Sequence, residues 1–314
     1  MALSIDQITA ASYPAVLNTA RKPTNQWAEN AFLRELERLG SIVKRNLGPT
    51  IEATLDYRRN PDAGFLGYDL EPTATTKTEV ITAASYTPVP LSVPYVWTKM
   101  EEVQNPTENQ KIALVKAKTT NALDSHDELI EEAIFATSTQ GFLGLATIIP
   151  TSGQGSVGGI DASLETWWRN PTDEYQADGS DIEAVFTEVW NQVAKGSGSP
   201  LAPKSMVSGS EPHALYESQL TPNVRFQSTA EGDSGFKVLA FKTARYVFSQ
   251  FGGTKVYFHN PKSLQIVVSK QYFRDMGPTI NLQNGEGFKR SIFSALQTVT
   301  DNKSRLAVVD EEAA

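Results

Sequence analysis

Residues 105–135, NPTENQKIALVKAKTTNALDSHDELIEEAIF, form the most regular stretch of this sequence. Asn105 can cap a helix, Pro106 suits the first helical position, and Glu108 completes a capping box. Apolar side chains then recur at helical spacing as far as Phe135. This stripe consists of Ile112, Val115, Ala122, Leu129, Ile130 and Ala133. We therefore predict a helix of about thirty residues, which would span about 45 Å.

The charges of this helix run against its macrodipole, since Lys111, Lys116 and Lys118 come early. The acidic side chains that come late are those of Glu128, Glu131 and Glu132. An isolated helix would be mildly destabilised by this order. We expect these charges to face charges on a neighbouring chain, and we take the three glutamates as candidate intermolecular contacts.

Two strands precede the helix. Residues 51–57 alternate apolar and polar side chains, and residues 89–97 do the same. Pro88, Pro90 and Pro94 all have the opposite parity to the apolar side chains of the second strand, so the three missing N–H donors fall on one edge. We predict that the two strands and their connection form a long hairpin with one blunted edge, which projects from the body or lies over a neighbour.

The N-terminal side begins with a polar, mixed segment of 23 residues that ends at Lys22-Pro23, and we predict an extended arm there. A short helix is predicted next, with one apolar face and Gly40 at its end. Its apolar face consists of Ala28, Phe32, Leu36 and Leu39.

On the C-terminal side, residues 136–180 are rich in glycine and threonine. A helix is predicted from a Ser180…Glu183 capping box to Gly196, and a strand over 205–208 precedes a helix that starts at Ser210. The remainder is predicted to be β-rich, with strands over 237–241, 255–259, 265–268, 288–300 and 305–309. This order is neither a regular βαβ alternation nor a sandwich, so we predict an α+β fold.

The composition of the chain excludes several classes of function. The chain has 314 residues, with 28 Lys and Arg against 36 Asp and Glu, a formal net charge of −8, so tight binding of nucleic acid over the whole surface is not expected. It has no cysteine, which excludes disulfides, thiolate nucleophiles and cysteine metal sites and fits a reducing compartment or indifference to redox conditions. No apolar run is long enough for a membrane span, and the first residues do not resemble a secretion signal.

The sequence contains no recognisable catalytic motif, so we predict that the chain is not an enzyme. The run from Gly153 to Gly158 matches GxGxxG, but no strand feeds it and no helical stripe leaves it, so we expect a flexible loop. His126, His213 and His259 are far apart; we expect a structural role for the first and surface roles for the others. We predict no catalytic residue, cofactor or metal.

The pair Trp167-Trp168 with Arg169 leaves two interpretations open. Two adjacent tryptophans beside a glycine-rich loop can form a local lid over the core. They can also anchor one chain on another, because Trp and Arg are enriched in interface hot spots.

Residues 157–170, VGGIDASLETWWRN, resemble the "GGID-S…(Y/W)W-R" segment of the major capsid proteins of tailed bacteriophages, and 141–146, GFLGLA, resembles the turn that opens it. The order of elements is also similar over nearly the whole chain. The resemblance implies the tailed-phage and herpesvirus-type capsid fold. Its parts would be an N-terminal arm at 1–45, an extended loop at 46–100, a peripheral domain with the spine helix at 101–177, an axial domain at 178–275 and returning peripheral strands at 276–314.

The resemblance implies a protein that assembles with itself as pentamers and hexamers into an icosahedral head around double-stranded DNA, with weak contact to that DNA. The implied location is the virion, and the host cytoplasm before assembly, without a membrane. A scaffolding protein and a portal are implied partners, with a decoration protein left open; the scaffolding protein would be separate, because the chain reaches its arm almost at once. The candidate inter-subunit contacts are Trp27, Tyr57, Arg58, Arg59, Phe65, Tyr68, Lys77, Glu128, Glu131, Glu132, Trp167, Trp168 and Arg169.

Some members of that family cross-link a loop lysine to a neighbour's asparagine, and Lys77 is the only lysine between 46 and 98. Nothing in the sequence supplies its partner, so we do not expect a cross-link. Two alternatives to the phage head remain. One is the shell of an encapsulin-like bacterial nanocompartment, and the other is a cytosolic α+β hydrolase, which would need a pocket with converging ionisable groups.

Overall fold

A computed structural model describes residues 31–59, 79–196, 199–220 and 239–312. The α-helices of these ranges are α1 (Ala31–Arg38), α2 (Lys99–Gln104), α3 (Glu108–Phe135), α4 (Leu145–Ile148), α5 (Ile182–Ala194) and α6 (Ser210–Gln219), and two short 3-10 helices cover Thr166–Trp168 and Lys303–Arg305. The strands before the fifth helix are β1 (Ile42–Arg45), β2 (Ile51–Asp56), β3 (Ile81–Tyr86), β4 (Val89–Thr98), β5 (Ser138–Thr139), β6 (Phe142–Leu143), β7 (Ser156–Val157), β8 (Ile160–Asp161) and β9 (Thr172–Tyr175). Those after it are β10 (Ser205–Ser208), β11 (Leu239–Phe241), β12 (Ala244–Phe248), β13 (Val256–His259), β14 (Leu264–Ser269), β15 (Asp275–Met276), β16 (Ile280–Asn281), β17 (Gly287–Thr300) and β18 (Ala307–Glu311).

The long strand β17 organises the first sheet. The strand order is β1-β14-β17-β15, and β16 and β4 also pair with β17. Strand β4 runs antiparallel to β17 over ten residue pairs, from Val89 opposite Leu296 to Thr98 opposite Gly287. Its odd-numbered side chains face the core and its even-numbered ones face solvent, as the alternation predicts.

The predicted partner of β4 is wrong. Strand β2 pairs with β3, in register from Ile51 opposite Tyr86 to Asp56 opposite Ile81, and β4 pairs with β17. A hairpin therefore exists, but its second strand is β3. The prediction failed because residues 79–86 alternate weakly, whereas the true partner of β4 lies some two hundred residues further along the chain.

The long helix α3 ends at the predicted residue, Phe135, but begins differently. Thr107 is the N-cap and forms a capping box with Gln110, while Asn105 ends the separate short helix α2 by donating its side-chain N–H to the carbonyl of Glu101. The predicted apolar stripe holds for Val115, Ala122 and Ile130, which are buried. Leu129 departs from it, with 43% of its surface exposed.

The second sheet has the order β11-β12-β10-β13-β18-β9. It is buried on both faces, because Met206, Phe258 and Val309 pack in a core with α5 and α6, while their neighbours pack in the core that contains α1 and the end of α3. Strands covered on both faces read as continuous apolar runs, so the sequence identified β10, β11, β13 and β18 but not their partners. It did not predict β9 or β12.

The strands of this sheet do not coincide with the segment 178–275 predicted as one domain. Strands β9 and β18 lie outside that segment in sequence and belong to the second sheet, whereas β14 lies inside it and belongs to the first. The chain thus crosses between the two sheets at both limits, and β18 is not a returning strand of the first sheet.

Helix α1 buries Phe32 and Leu36 as predicted, and Gly40 follows it with a left-handed φ of 71°. The N–H of Ser41 bonds the carbonyl of Leu36, which closes the helix end. The arm predicted before this helix, with Ala28, falls on residues 1–30, outside the described ranges.

Candidate inter-subunit contact surface

The glycine-rich segment forms a tight hairpin of β7 and β8 rather than a nucleotide loop. Gly158 and Gly159 make its turn with φ angles of 65° and 80°. The carbonyl of Gly158 accepts the N–H of Ser85, and a Cβ at Gly158 would lie 2.7 Å from that of Ala84. The hairpin therefore packs directly on β3, and glycine is required at 158 by both backbone conformation and contact.

Trp168 and Arg169 attach this segment to its own chain. Trp168 is 1% exposed and donates its indole N–H to the carbonyl of Val157. The guanidinium of Arg169 donates to the carbonyls of Ala162 and Ser163. The expectation that Trp168 contacts a neighbour is wrong, because its surface is buried inside the subunit. Arg169 uses two of its guanidinium nitrogens within the chain and remains a candidate contact.

Trp167 lies on the other side of the same turn and lines a cleft. Its ring stacks near that of Tyr57, with centroids 4.9 Å apart and planes inclined by 30°. The cleft has a volume of about 360 Å³ and lies between the base of the β2–β3 hairpin and the segment 159–167. Ile81 and Leu164 line it and are 64% and 81% exposed. A cleft with such exposed apolar side chains is suited to contact another protein surface.

The rim of the cleft is acidic. Glu79, Asp161 and Glu165 line it, and no lysine or arginine is among its described lining residues. The hydroxyl and N–H of Ser163 donate to Asp161 and hold the pKa of that carboxyl below its usual value. Glu165 accepts the indole N–H of Trp167 at 2.6 Å, which fixes the orientation of the ring.

Of the other candidate residues, the structure brings Tyr57 to this cleft. Arg58 and Arg59, which follow it in the sequence, are exposed. Trp27, Phe65, Tyr68 and Lys77 lie outside the described residues. Sequence reasoning missed Ile81 and Leu164. A lone apolar residue in a polar segment gives no periodic signal, so only its exposure in the folded chain identifies it.

The three glutamates of α3 separate into two groups. Glu128 and Glu132 are exposed and remain candidate contacts. Glu131 is 2% exposed; it accepts the hydroxyl of Ser249 at 2.5 Å and the N–H of Leu33 at 3.2 Å. The expectation that it contacts a neighbour is wrong, because these groups occupy its carboxylate. Burial raises its pKa, and the two hydrogen bonds oppose that shift.

One of the lysines of α3, Lys118, has a partner within the chain. The ammonium of Lys118 donates to the carboxylate of Glu101 at 2.6 Å and to the carbonyl of Val96 at 2.9 Å. The charge of Lys118, one of the early lysines that oppose the macrodipole, is thus neutralised inside the subunit.

A serine, a histidine and an aspartate lie in line beside α3. The imidazole of His126 is 2.8 Å from the hydroxyl of Ser294 and 3.0 Å from the carboxylate of Asp127, which also binds Arg274 at 2.7 Å. His126 and Ser294 are fully buried, and the hydroxyl of Ser294 accepts the N–H of Arg274. A substrate cannot reach the hydroxyl, so this set of bonds fixes α3 to β17, and the predicted structural role of His126 is confirmed.

The other two histidines differ from expectation. His213 is partly buried against Tyr246, with ring centroids 4.9 Å apart, and burial lowers its pKa. His259 was expected at the surface, but it is fully buried against Phe32, and burial lowers its pKa to about 3. The expectation was wrong because β13 is covered on both faces.

Within the described ranges, no group of three or more His, Asp or Glu side chains is placed to hold a metal ion. No helix in those ranges combines the length and apolar character that a membrane span requires.

This two-sheet arrangement with a long helix is the fold of the tailed-phage major capsid proteins and of encapsulin shells. The structure of the cyanophage A-1(L) capsid superposes with a TM-score of 0.66 at 14% identity, over 92% of this chain and 94% of that one. The capsid of a native GTA particle gives 0.61 at 11% identity over 91% of both chains. The SrpI encapsulin of Synechococcus elongatus PCC 7942 gives 0.55 at 9% identity, over 100% of this chain and 99% of that one.

Sequence comparisons find less similarity than the structural ones. No protein-family model matches the chain. A curated protein, ATPase GET3 of Meyerozyma guilliermondii, is 25% identical over 135 residues, which are 40% of this chain and 39% of that protein. The chain thus spans about two fifths of this relative's length. The fold, in contrast, is matched over almost the whole of both chains.

Proposed function

We propose that this chain is the major shell protein of a bacteriophage head, which assembles with itself as pentamers and hexamers around double-stranded DNA. The observation that carries the proposal is the fold shared with a phage capsid over more than nine tenths of both chains. The N-terminal arm, extended loop, peripheral domain and axial domain would then be the parts that overlap neighbours, with a scaffolding protein, a portal and a decoration protein as further partners.

The charge of the chain supports a container rather than a DNA-binding protein. At a net charge of −8 the shell would repel phosphate groups on average, so packaged DNA would be held by closure and not by tight contact. The location that follows is the virion, preceded by the host cytoplasm.

The cleft beside Trp167 is the surface that we assign to subunit contact. Replacing Leu164 by Asp should leave folding intact, because that side chain is 81% exposed, and should lower the yield of closed particles. Val103→Asp is the matched control, since Val103 is 70% exposed and lies outside the cleft. Equal assembly of the wild type and the Leu164→Asp variant would remove the cleft from the proposed interface.

An encapsulin-like shell is the second candidate function. The observation that favours it is the shared fold with SrpI over the full chain. Purified particles distinguish the two functions by their cargo. DNA that survives nuclease treatment of intact particles supports the phage head, whereas particles that contain one protein species and no protected DNA support the nanocompartment.

A further inference from the structure

Asn284 and Gly285 lie in the exposed turn that joins β16 to β17, and they are the only Asn-Gly pair in the sequence. The backbone N–H of Gly285 donates to the carbonyl of Leu282 at 2.8 Å, and Gly285 has a left-handed φ of 71°. Asn and Gly are favoured in turns because both tolerate such backbone conformations. The pair is also chemically labile, because glycine has no side chain to hinder attack of its backbone nitrogen on the preceding carboxamide.

Glu286 contacts both polar atoms of the Asn284 carboxamide. Its backbone N–H donates to Oδ1 at 3.2 Å, and its carboxylate accepts from Nδ2 at 3.3 Å. The first contact lies where negative charge develops when a nucleophile attacks the carboxamide carbon. The second places a proton carrier beside the nitrogen that would leave. Asn284, Gly285 and Glu286 are all exposed, so water reaches them as a co-reactant.

A second turn has the same hydrogen-bond pattern and provides an internal comparison. The N–H of Gly179 donates to the carbonyl three residues before it, and Oδ1 of Asp178 accepts the backbone N–H of Ser180. Here the side chain is a carboxyl group, and the bond from Ser180 holds its pKa below the usual value, so it stays ionised and resists nucleophiles. A Cβ at Gly179 would lie 3.1 Å from that of Leu215, whereas nothing lies within 4 Å of one at Gly285.

We propose that Asn284 is a self-modification site, at which the folded turn converts the carboxamide to a carboxylate. The bond from Gly285 to Leu282 opens, and the nitrogen of Gly285 gives its proton to solvent base. This nitrogen attacks Cγ of Asn284, while Oδ1 takes the negative charge beside the N–H of Glu286. The Cγ–Nδ2 bond breaks, and Nδ2 leaves as ammonia with a proton that the Glu286 carboxylate relays from water.

Water then opens the five-membered imide at one of its two carbonyls. Attack at Cγ gives aspartate, and attack at the main-chain carbonyl gives isoaspartate, in which the main chain runs through Cγ. The net reaction consumes one water and releases one ammonia, without an oxidant or a reductant. It needs only residues of this turn, so it does not depend on the shell function proposed above.

Both products change the junction of two strands and a helix. The carbonyl of Glu286 accepts the N–H of Lys99, the first residue of α2, and the N–H of Leu282 bonds the carbonyl of Gly287 at the base of the turn. Isoaspartate adds one main-chain carbon between these bonds and shifts their register. Either product also adds a negative charge beside the Glu286 carboxylate.

Incubation of the purified full chain in water labelled with oxygen-18 tests the proposal. The tryptic peptide 275–289 contains Asn284 together with Asn281, which precedes leucine and is the control. We expect a mass gain of about 3 Da at residue 284, because NH2 is replaced by labelled OH, and no gain at residue 281. Peptide 170–195 contains Asp178 and should take up no label at that residue. The gain at residue 284 should be faster at mildly alkaline pH, because the attacking nitrogen must be deprotonated.

Two variants and an unfolded sample test the contribution of the folded turn. Glu286→Gln should slow the conversion by about threefold or more, whereas Glu174→Gln, an exposed change on β9, should not alter it. The folded chain should convert at least as fast as the chain unfolded in urea. Slower conversion of the folded chain would show that the turn protects Asn284 and would overturn the proposal. Equal rates for wild type and Glu286→Gln would refute the role of the carboxylate.

Discussion

Gly158 and Gly159 are adjacent residues of one turn that have different surroundings. Both have a left-handed φ, but a Cβ at Gly158 would meet that of Ala84 at 2.7 Å, whereas nothing lies within 4 Å of one at Gly159. Only the first glycine is therefore constrained by contact with β3.

We expect Gly158→Ala to lower the free energy of unfolding by about 2–5 kcal/mol, from backbone strain and overpacking together. Gly159→Ala should cost about 1 kcal/mol, from strain alone. Urea titrations of the two variants measure the difference. Equal losses would show that the hairpin does not pack on β3 as described.

Asp127 contributes a pH-dependent part of stability. Burial alone would raise its pKa, but hydrogen bonding to His126 and the charge of Arg274 lower it below its ordinary value of 3.8. A carboxyl with a depressed pKa in the folded state stabilises the protein above its unfolded pKa, and this stability is lost as the pH falls through the folded value.

Asp127→Asn should therefore cost about 1–3 kcal/mol at pH 7, and less as the pH falls below about 4. The measurement is the difference in unfolding free energy between variant and wild type at each pH, in which the other carboxylates cancel. Glu132→Gln, on the exposed side of the same helix, should show no such trend. A difference for Asp127→Asn that is constant with pH would contradict the described contacts.

The sequence does not predict which of the two adjacent tryptophans is buried. Both lie in the motif that suggested the fold, yet Trp168 is buried in the subunit and Trp167 lines the cleft. Their order in the sequence cannot distinguish them, because the direction of each ring depends on how the turn packs against Val157 and Tyr57.

At the scale of elements, Glu131 joins three parts of the chain. It lies on α3, accepts the first N–H groups of α1, and bonds Ser249 after β12. It thereby acts as the acceptor that the start of α1 requires.

Replacing Glu131 by Ala should loosen α1, because its first N–H groups lose their acceptor. Hydrogen exchange of a peptide covering residues 31–38 should become faster, while exchange across the middle of α3 should change little. Glu132→Ala is the matched control. Unchanged exchange at α1 would show that Phe32 and Leu36 hold that helix without the carboxylate.

Strand β4 illustrates what parity can and cannot predict. The N–H of Lys99, which follows the strand, bonds Glu286 next to β17, so odd-numbered groups face β17 and the prolines lie on the other edge. The blunted edge was predictable from the sequence, because parity is a local property. The partner was not, because it depends on the placement of β17.

Pro90→Thr combined with Pro94→Thr should restore two N–H donors to that edge and promote association between chains. Light scattering during refolding should rise, while the folded protein remains native by circular dichroism. Ser92→Thr, on the same face but with its N–H already present, should not change scattering. Similar scattering from both variants would show that this edge is protected by other means.

At the scale of the molecule, the order of elements and the α+β class were predictable because long helices and alternating strands have strong local signals. Assignment of strands to the two sheets was not, since β9, β14 and β18 are short and each pairs with a strand that is distant in sequence. The cleft was not predictable for the same reason, because it forms where the hairpin base meets segment 159–167.

The proposed shell function requires that copies of this chain assemble into a closed particle. The most direct measurement is negative-stain electron microscopy of the purified full chain, alone and co-expressed with a scaffolding protein. We expect uniform closed particles, or rings of five and six subunits, in at least one condition. A monodisperse monomer or dimer in both conditions would contradict it.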